Sequence, residues 1–78
     1  MILTEKEVTI LGHLYDLDGS SSSIDEIYKA NNLETGDERK IKRRLVSEGL
    51  IKETSSSKDR DYYKITMKGE ETYEKLNP

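Results

Sequence analysis

The sequence contains no cysteine and one histidine. Without cysteine there is no disulfide framework, no zinc ribbon and no thiol catalysis. A lone histidine, His13, does not build a metal site and reads as a surface or partly packed side chain, so neither metal nor cofactor is expected. No glycine-rich phosphate loop and no nucleophile motif is present. The acidic pairs Glu5/Glu7, Asp25/Glu26 and Glu70/Glu71 fall in first helical turns, where they complement the helix dipole rather than form a catalytic pair. An enzyme is therefore not expected. Also missing are any apolar run near the roughly 18 residues of a membrane span and the basic-then-apolar opening of a secretion signal. These absences predict a soluble cytoplasmic protein, nucleoid-associated if the source is prokaryotic, with no membrane contact.

What is present is short and highly charged. The 78 residues predict one domain, 1–78, with 32% apolar and 37% charged side chains. A domain of this size buries only about 60% of the surface its unfolded chain exposes, so its core must be small. The net charge is −3, but it is unevenly spread. Residues 1–35 carry −5, residues 36–64 carry +3 and residues 65–78 carry −1. Such a molecule has a basic face and an acidic back, an arrangement that orients it toward a polyanion.

Apolar periodicity and capping signals divide the chain. Thr4-Glu5-Lys6-Glu7 has the form of a capping box and starts a first helix near Glu5, whose stripe comprises Val8, Ile10, Leu11, Leu14, Tyr15 and Leu17. Asp18-Gly19 and a serine run end it. Ser23-Ile24-Asp25-Glu26 starts a second helix that buries Ile24, Ile27 and Tyr28 and stops at Asn31-Asn32. A third box, Thr35-Gly36-Asp37-Glu38, opens a third helix over about 36–48, with Ile41 and Leu45 inward and Gly49 as terminator. Two short helices so tightly joined read as a helix-turn-helix.

A hairpin follows, with strands at Leu50–Thr54 and Tyr62–Thr66 joined by a long polar loop, and a minimal strand near Ser21-Ser22. Tyr62 and Tyr63 must point to opposite faces, one toward the core. Thr66 caps a last helix from Met67 to about Leu76, anchored by Tyr73 and Leu76. The expected fold is α+β and mostly helical: a three-helix core, a β-hairpin wing over about 50–66 and a short C-terminal helix.

Lys40-Ile41-Lys42-Arg43-Arg44-Leu45-Val46-Ser47-Glu48-Gly49-Leu50-Ile51 resembles the end of the recognition helix and the first wing strand of winged helix-turn-helix regulators. Tyr63-Lys64-Ile65-Thr66-Met67-Lys68-Gly69 is similar to the segment that closes the wing in MarR-like and PadR-like families, and Ile10-Leu11-Gly12-His13-Leu14 is similar to the first helix of the PadR type. The resemblance implies a DNA-binding transcriptional regulator.

The residues agree with that expectation. With Ile41 and Leu45 inward at about 100° per residue, Gly36, Arg39, Lys40, Arg43 and Ser47 share the opposite face. Five of the six residues 39–44 are basic. In helix-turn-helix docking the N-terminal part of the recognition helix reaches base edges and later residues reach phosphates. Arg39, Lys40 and Arg43 are therefore candidates for base contacts. Thr35, Gly36, Lys42, Arg44 and Ser47 are candidates for the backbone, and Lys58, Arg60 and Lys64 for contacts by the wing. Double-stranded DNA is the expected partner. The alternatives are a merely solvated helix face and wing, and a winged helix that binds protein instead of DNA. A homodimer through Met1, Ile2, Leu3 and the final helix is a further expectation.

Overall fold

A computed structural model describes residues 2–76. In chain order the elements are α1 (Glu5–Asp16), β1 (Ser22–Ser23), α2 (Ile24–Ala30), α3 (Glu38–Ser47), β2 (Ile51–Ser56), β3 (Asp61–Ile65) and α4 (Met67–Leu76). The strands form an antiparallel sheet in the order β1-β3-β2. Helices and sheet enclose one cluster of buried residues: Ile10, Leu11 and Leu14 from α1, Ile24, Ile27 and Tyr28 from α2, Leu45 from α3, and Leu50, Ile51, Tyr63 and Ile65 from the wing.

Local chemistry sets most of the boundaries. The Thr4 box forms completely: Glu7 N–H donates to Thr4 Oγ1 at 3.2 Å, and Thr4 N–H donates to Glu7 Oε1 at 2.7 Å. At Ser23 only half the box forms, because the Glu26 carboxylate is taken by Ser22 Oγ and by Arg60. The C-terminus of α3 is a Schellman turn. Gly49, at φ 76°, donates to Val46 O at 2.9 Å, and Leu50 N–H donates to Leu45 O at 3.0 Å. Leu45 and Leu50, brought together by that turn, are both fully buried.

The segment that closes the wing is a latch. Thr66 Oγ1 accepts from Gly69 N–H at 3.0 Å to cap α4 and donates to Gly49 O at 2.6 Å, while Thr66 N–H donates to Leu50 O at 3.0 Å. One threonine thus joins both ends of the hairpin to the start of α4. Gly69 lies so close to this turn that a side chain there would overlap the Leu50 carbonyl and approach Ile65 Cγ1.

Four expectations need correction. The helix expected over about 36–48 begins at Glu38, because Thr35 does not cap it. Gly36, at φ 113°, donates its N–H to Glu38 Oε1 at 2.6 Å, and Asp37 occupies the cap position with its side chain turned elsewhere. Both wing strands are displaced toward the tip, β2 to Ile51–Ser56 and β3 to Asp61–Ile65, since pairing continues past a bulge at Thr54 to Ser55↔Tyr62 and Ser56↔Asp61. β1 lies at Ser22–Ser23, paired with Tyr63 and Tyr62. Leu76 is half-exposed, because the ring of Tyr73 fills the contact between α4 and α1, against Gly12 and 4.9 Å from the Tyr15 ring.

Candidate nucleic-acid interface

The outward side of α3 carries Arg39, Lys40, Arg43 and Ser47 as periodicity assigned them, whereas Gly36, assigned to the same helical face, lies in the bend before the helix. Gly36, Arg39, Lys40, Arg43 and Ser47 are exposed and, with Arg44, line one shallow stretch of surface. Leu45 is the one fully buried side chain of the helix, and Ile41 is half-buried against the core. Among the described residues Arg39, Lys40 and Arg43 form no ion pair. Thr35 lies exposed in the bend before the helix.

Two of the five clustered cations are engaged by the protein itself. Arg44 Nε lies 2.9 Å from Glu7 Oε2, and its Nη2 donates to the carbonyl of Ile2. The guanidinium expected at a phosphate therefore ties α3 to α1, because the carboxylate it meets is only 2% exposed and needs a charged partner. Lys42 is half-buried, with its ammonium 5.8 Å from the centroid of the Tyr63 ring. Tyr63 is the core-facing tyrosine of the pair, and Tyr62 is the more open one.

The wing is less free than its sequence suggests. Lys58 is exposed at its tip, but Arg60 Nη1 lies 3.4 Å from Glu26 Oε1 on α2. Lys64 is half-buried on β3 and stands opposite Lys52 in the strand register. Between α3 and the wing runs a cleft of about 500 Å³ whose walls include Arg39, Arg43, Val46, Glu53 and Tyr63. Val46, 42% exposed, is an apolar residue on this side of α3 that charge patterning passed over.

Charge patterning also missed the device at the start of α3. Asp37 accepts from Lys6 Nζ at 2.8 Å and from the Tyr28 hydroxyl at 2.9 Å, and Lys6 also donates to Glu34 O at 3.0 Å. The Lys6 ammonium holds the Asp37 carboxyl below its ordinary range, aided by Tyr28 and opposed by partial desolvation. Burial, then the bond to Asp37, pushes the Tyr28 phenol well above its usual value. Asp37 is thus turned toward α1 and α2. No local signal could have found this, because its partners lie on two other helices.

His13 is partly packed, its Nδ1 3.1 Å from Asn31 Nδ2, and the same amide nitrogen donates to Ile27 O. Among the described residues no three His, Asp or Glu side chains gather into a metal-binding group, and no helix is long and apolar enough to cross a membrane. Of the residues expected at a dimer contact, Met1 lies outside the described residues, Leu3 packs on its own core, and the Ile2 side chain is exposed.

No protein-family model matches the sequence, and no curated protein matches it at a significant level. Solved structures match over nearly its whole length. A MepR mutant from an S. aureus clinical isolate is 22% identical with a TM-score of 0.81, covering 96% of this chain and 56% of its own. YusO from Bacillus subtilis is 21% identical with a TM-score of 0.81, covering 95% and 52%. A MarR mutant from E. coli, solved in complex with operator DNA, is 20% identical with a TM-score of 0.75, covering 95% and 55%. The chain therefore has a winged helix-turn-helix fold of the MarR type and spans little more than half the length of these structures. The PadR-like character of Ile10–Leu14 remains a likeness of sequence.

Proposed function

We propose that the protein is a double-stranded-DNA-binding transcriptional regulator that lays α3 in the major groove and reaches flanking backbone or the minor groove with the wing. The observation that carries this reading is the row Arg39, Lys40 and Arg43. All three are exposed, unpaired among the described residues and displayed on one side of a helix whose other side packs on the core. Unpaired cations are what a phosphate backbone selects, since binding releases its condensed counterions. The likeness to a fold solved with operator DNA supports the same reading.

Arginine presents two parallel donors to guanine O6 and N7, so Arg39 and Arg43 are the base readers in this scheme, with Lys40 beside them. Lys42, Thr35 and Ser47 serve phosphates, and the Gly36 N–H joins them by exchanging the Glu38 carboxylate for a phosphate. Arg44 leaves that list for the reason given above. Lys58 supplies the free cation of the wing, and Arg60 joins it by exchanging Glu26 for a phosphate.

A titration of labelled amides with a mixed-sequence duplex tests the reading. Shifts are expected to cluster at residues 35–47 and 57–64, and log affinity is expected to fall against log salt with a slope of about −4 to −5 if four to six phosphates are contacted. A flat salt response, or shifts gathered on the acidic α1 and α2, would instead favour a winged helix that docks on protein.

A further inference from the structure

Hydrophobic packing holds α3 at few points. Of its ten residues Leu45 alone is fully buried, with Ile41 half-buried one turn earlier, so apolar contact leaves the roll of the helix about its axis weakly specified. Two adjacent residues of α1 supply what is missing. Lys6 Nζ meets Asp37 Oδ2 at 2.8 Å, and Glu7 Oε2 meets Arg44 Nε at 2.9 Å. Asp37 and Arg44 are seven positions apart, about two helical turns, and so lie on one side of α3 at its opposite ends.

The two pairs have opposite polarity. A shift of α3 along α1, or a reversal of its direction, would set Lys6 toward Arg44 or Glu7 toward Asp37, where like charges repel. One register satisfies both. Each anchor is also held from behind: Glu7 Oε1 accepts from Thr4 N–H at 2.7 Å, and Asp37 Oδ1 accepts from the Tyr28 hydroxyl at 2.9 Å. Glu7 is 2% exposed, so its carboxylate cannot fall back on water when Arg44 moves away.

We propose that Lys6 and Glu7 are positioning residues for DNA reading: without touching DNA, they form a two-point clamp that aims Arg39, Lys40 and Arg43 relative to the wing. The proposal rests on the DNA-binding reading of α3. It makes the first turn of α1 part of the specificity apparatus, although that turn lies in the acidic segment 1–35.

Charge and positioning predict opposite signs. Glu7→Gln and Asp37→Asn each remove a negative charge, which by electrostatics alone strengthens binding to every duplex. The clamp predicts the reverse for the preferred sequence. Affinity for the duplex recovered by selection from random DNA falls about tenfold, the loss of one well-oriented bidentate base contact. Affinity for a mixed-sequence duplex of equal length is kept or raised, and the salt slope is unchanged. Asp37→Asn sits at the more open end of α3 and serves as the test where Glu7→Gln does not fold. Residual dipolar couplings of the free protein supply a readout independent of DNA, with α3 expected to change its orientation against α1 in either variant. Equal or tighter binding of the selected duplex, or unchanged couplings, overturns the clamp. Failure of the wild-type protein to bind any duplex overturns the DNA reading instead, while the couplings still decide whether the clamp sets the orientation of α3.

Discussion

The outward side of α3 and the tip of the wing both carry candidate cations in the sequence, yet the fold treats them differently. On α3, Arg39, Lys40 and Arg43 stand in solvent with no acidic partner among the described residues. On the wing, Arg60 is folded back onto Glu26, Lys64 is half-buried, and Asp59 and Asp61 flank the tip. Charge count alone would rank the regions by density. The availability of each cation ranks them more sharply, because a phosphate must compete with whatever carboxylate already holds the side chain. Exposed ion pairs contribute only about 0–1 kcal/mol, so Arg60 can exchange Glu26 for another anion, and in the proposed complex the wing is the adjustable contact beside Arg39, Lys40 and Arg43, which have no ion-pair partner to give up among the described residues.

The largest expected effect breaks the comparison on its stronger side. Arg39→Glu together with Arg43→Glu removes two bidentate candidates worth about 1–3 kcal/mol each, so duplex affinity falls by about two orders of magnitude or more. The thermal melt should be nearly unchanged, since neither side chain pairs with another in the described structure. Retained affinity in a gel-shift or anisotropy assay would move the interface away from α3.

A smaller effect sharpens the weaker side. Lys58→Gln with Arg60→Gln should reduce the magnitude of the salt slope by about one to two while leaving most of the affinity. Glu26→Gln, which releases Arg60, should act in the other direction, with a gain of no more than about fivefold because the pair it removes is exposed. A loss of affinity in Glu26→Gln would mean that the pair holds the wing in its binding posture rather than occupying its cation.

The smallest effect is in stability against pH. Asp37 titrates below its ordinary 3.8 in the folded protein, because Lys6 and then Tyr28 favour the carboxylate. A lowered folded value stabilises the protein above the unfolded value, and that contribution is lost as pH falls through the lowered one. Denaturant midpoints of the wild type and Asp37→Asn should therefore differ at about pH 6 and draw together as pH falls through the lowered folded value. A gap that stays constant with pH would show that the negative charge of Asp37 contributes nothing to folding.

The caps at Thr4 and Ser23, the Gly49-Leu50 turn and the Thr66 cap of α4 were all legible, since each joins groups within about five residues of one another. The Thr35 box had the same spelling and failed. Its Asp37 is drawn inward by Lys6 and Tyr28, and its Glu38 turns back to the Gly36 N–H. Leu76 fits the apolar period of α4 but lies half-exposed, because Tyr73 is the apolar side chain of α4 that packs on the core. At the candidate interface, the exposure of Arg39, Lys40 and Arg43 on the outward side of α3 was legible from helical angle alone. The employment of Arg44 by Glu7, and the exposure of Val46 beside the wing, were not.

By itself, then, the order of residues determined the succession of helices and strands, the buried stripe of each helix, and the side of α3 on which cations gather. Those outcomes depend on hydrogen bonds within a turn and on fixed angular periods, both of which are local. Only the tertiary structure decided which of the cations are left unpaired, because each of the three ion pairs among the described residues joins positions 31 to 37 apart. No pattern within a helical turn encodes a carboxylate delivered from another helix, so the reach of Arg44, Arg60 and Asp37 was settled when the helices packed.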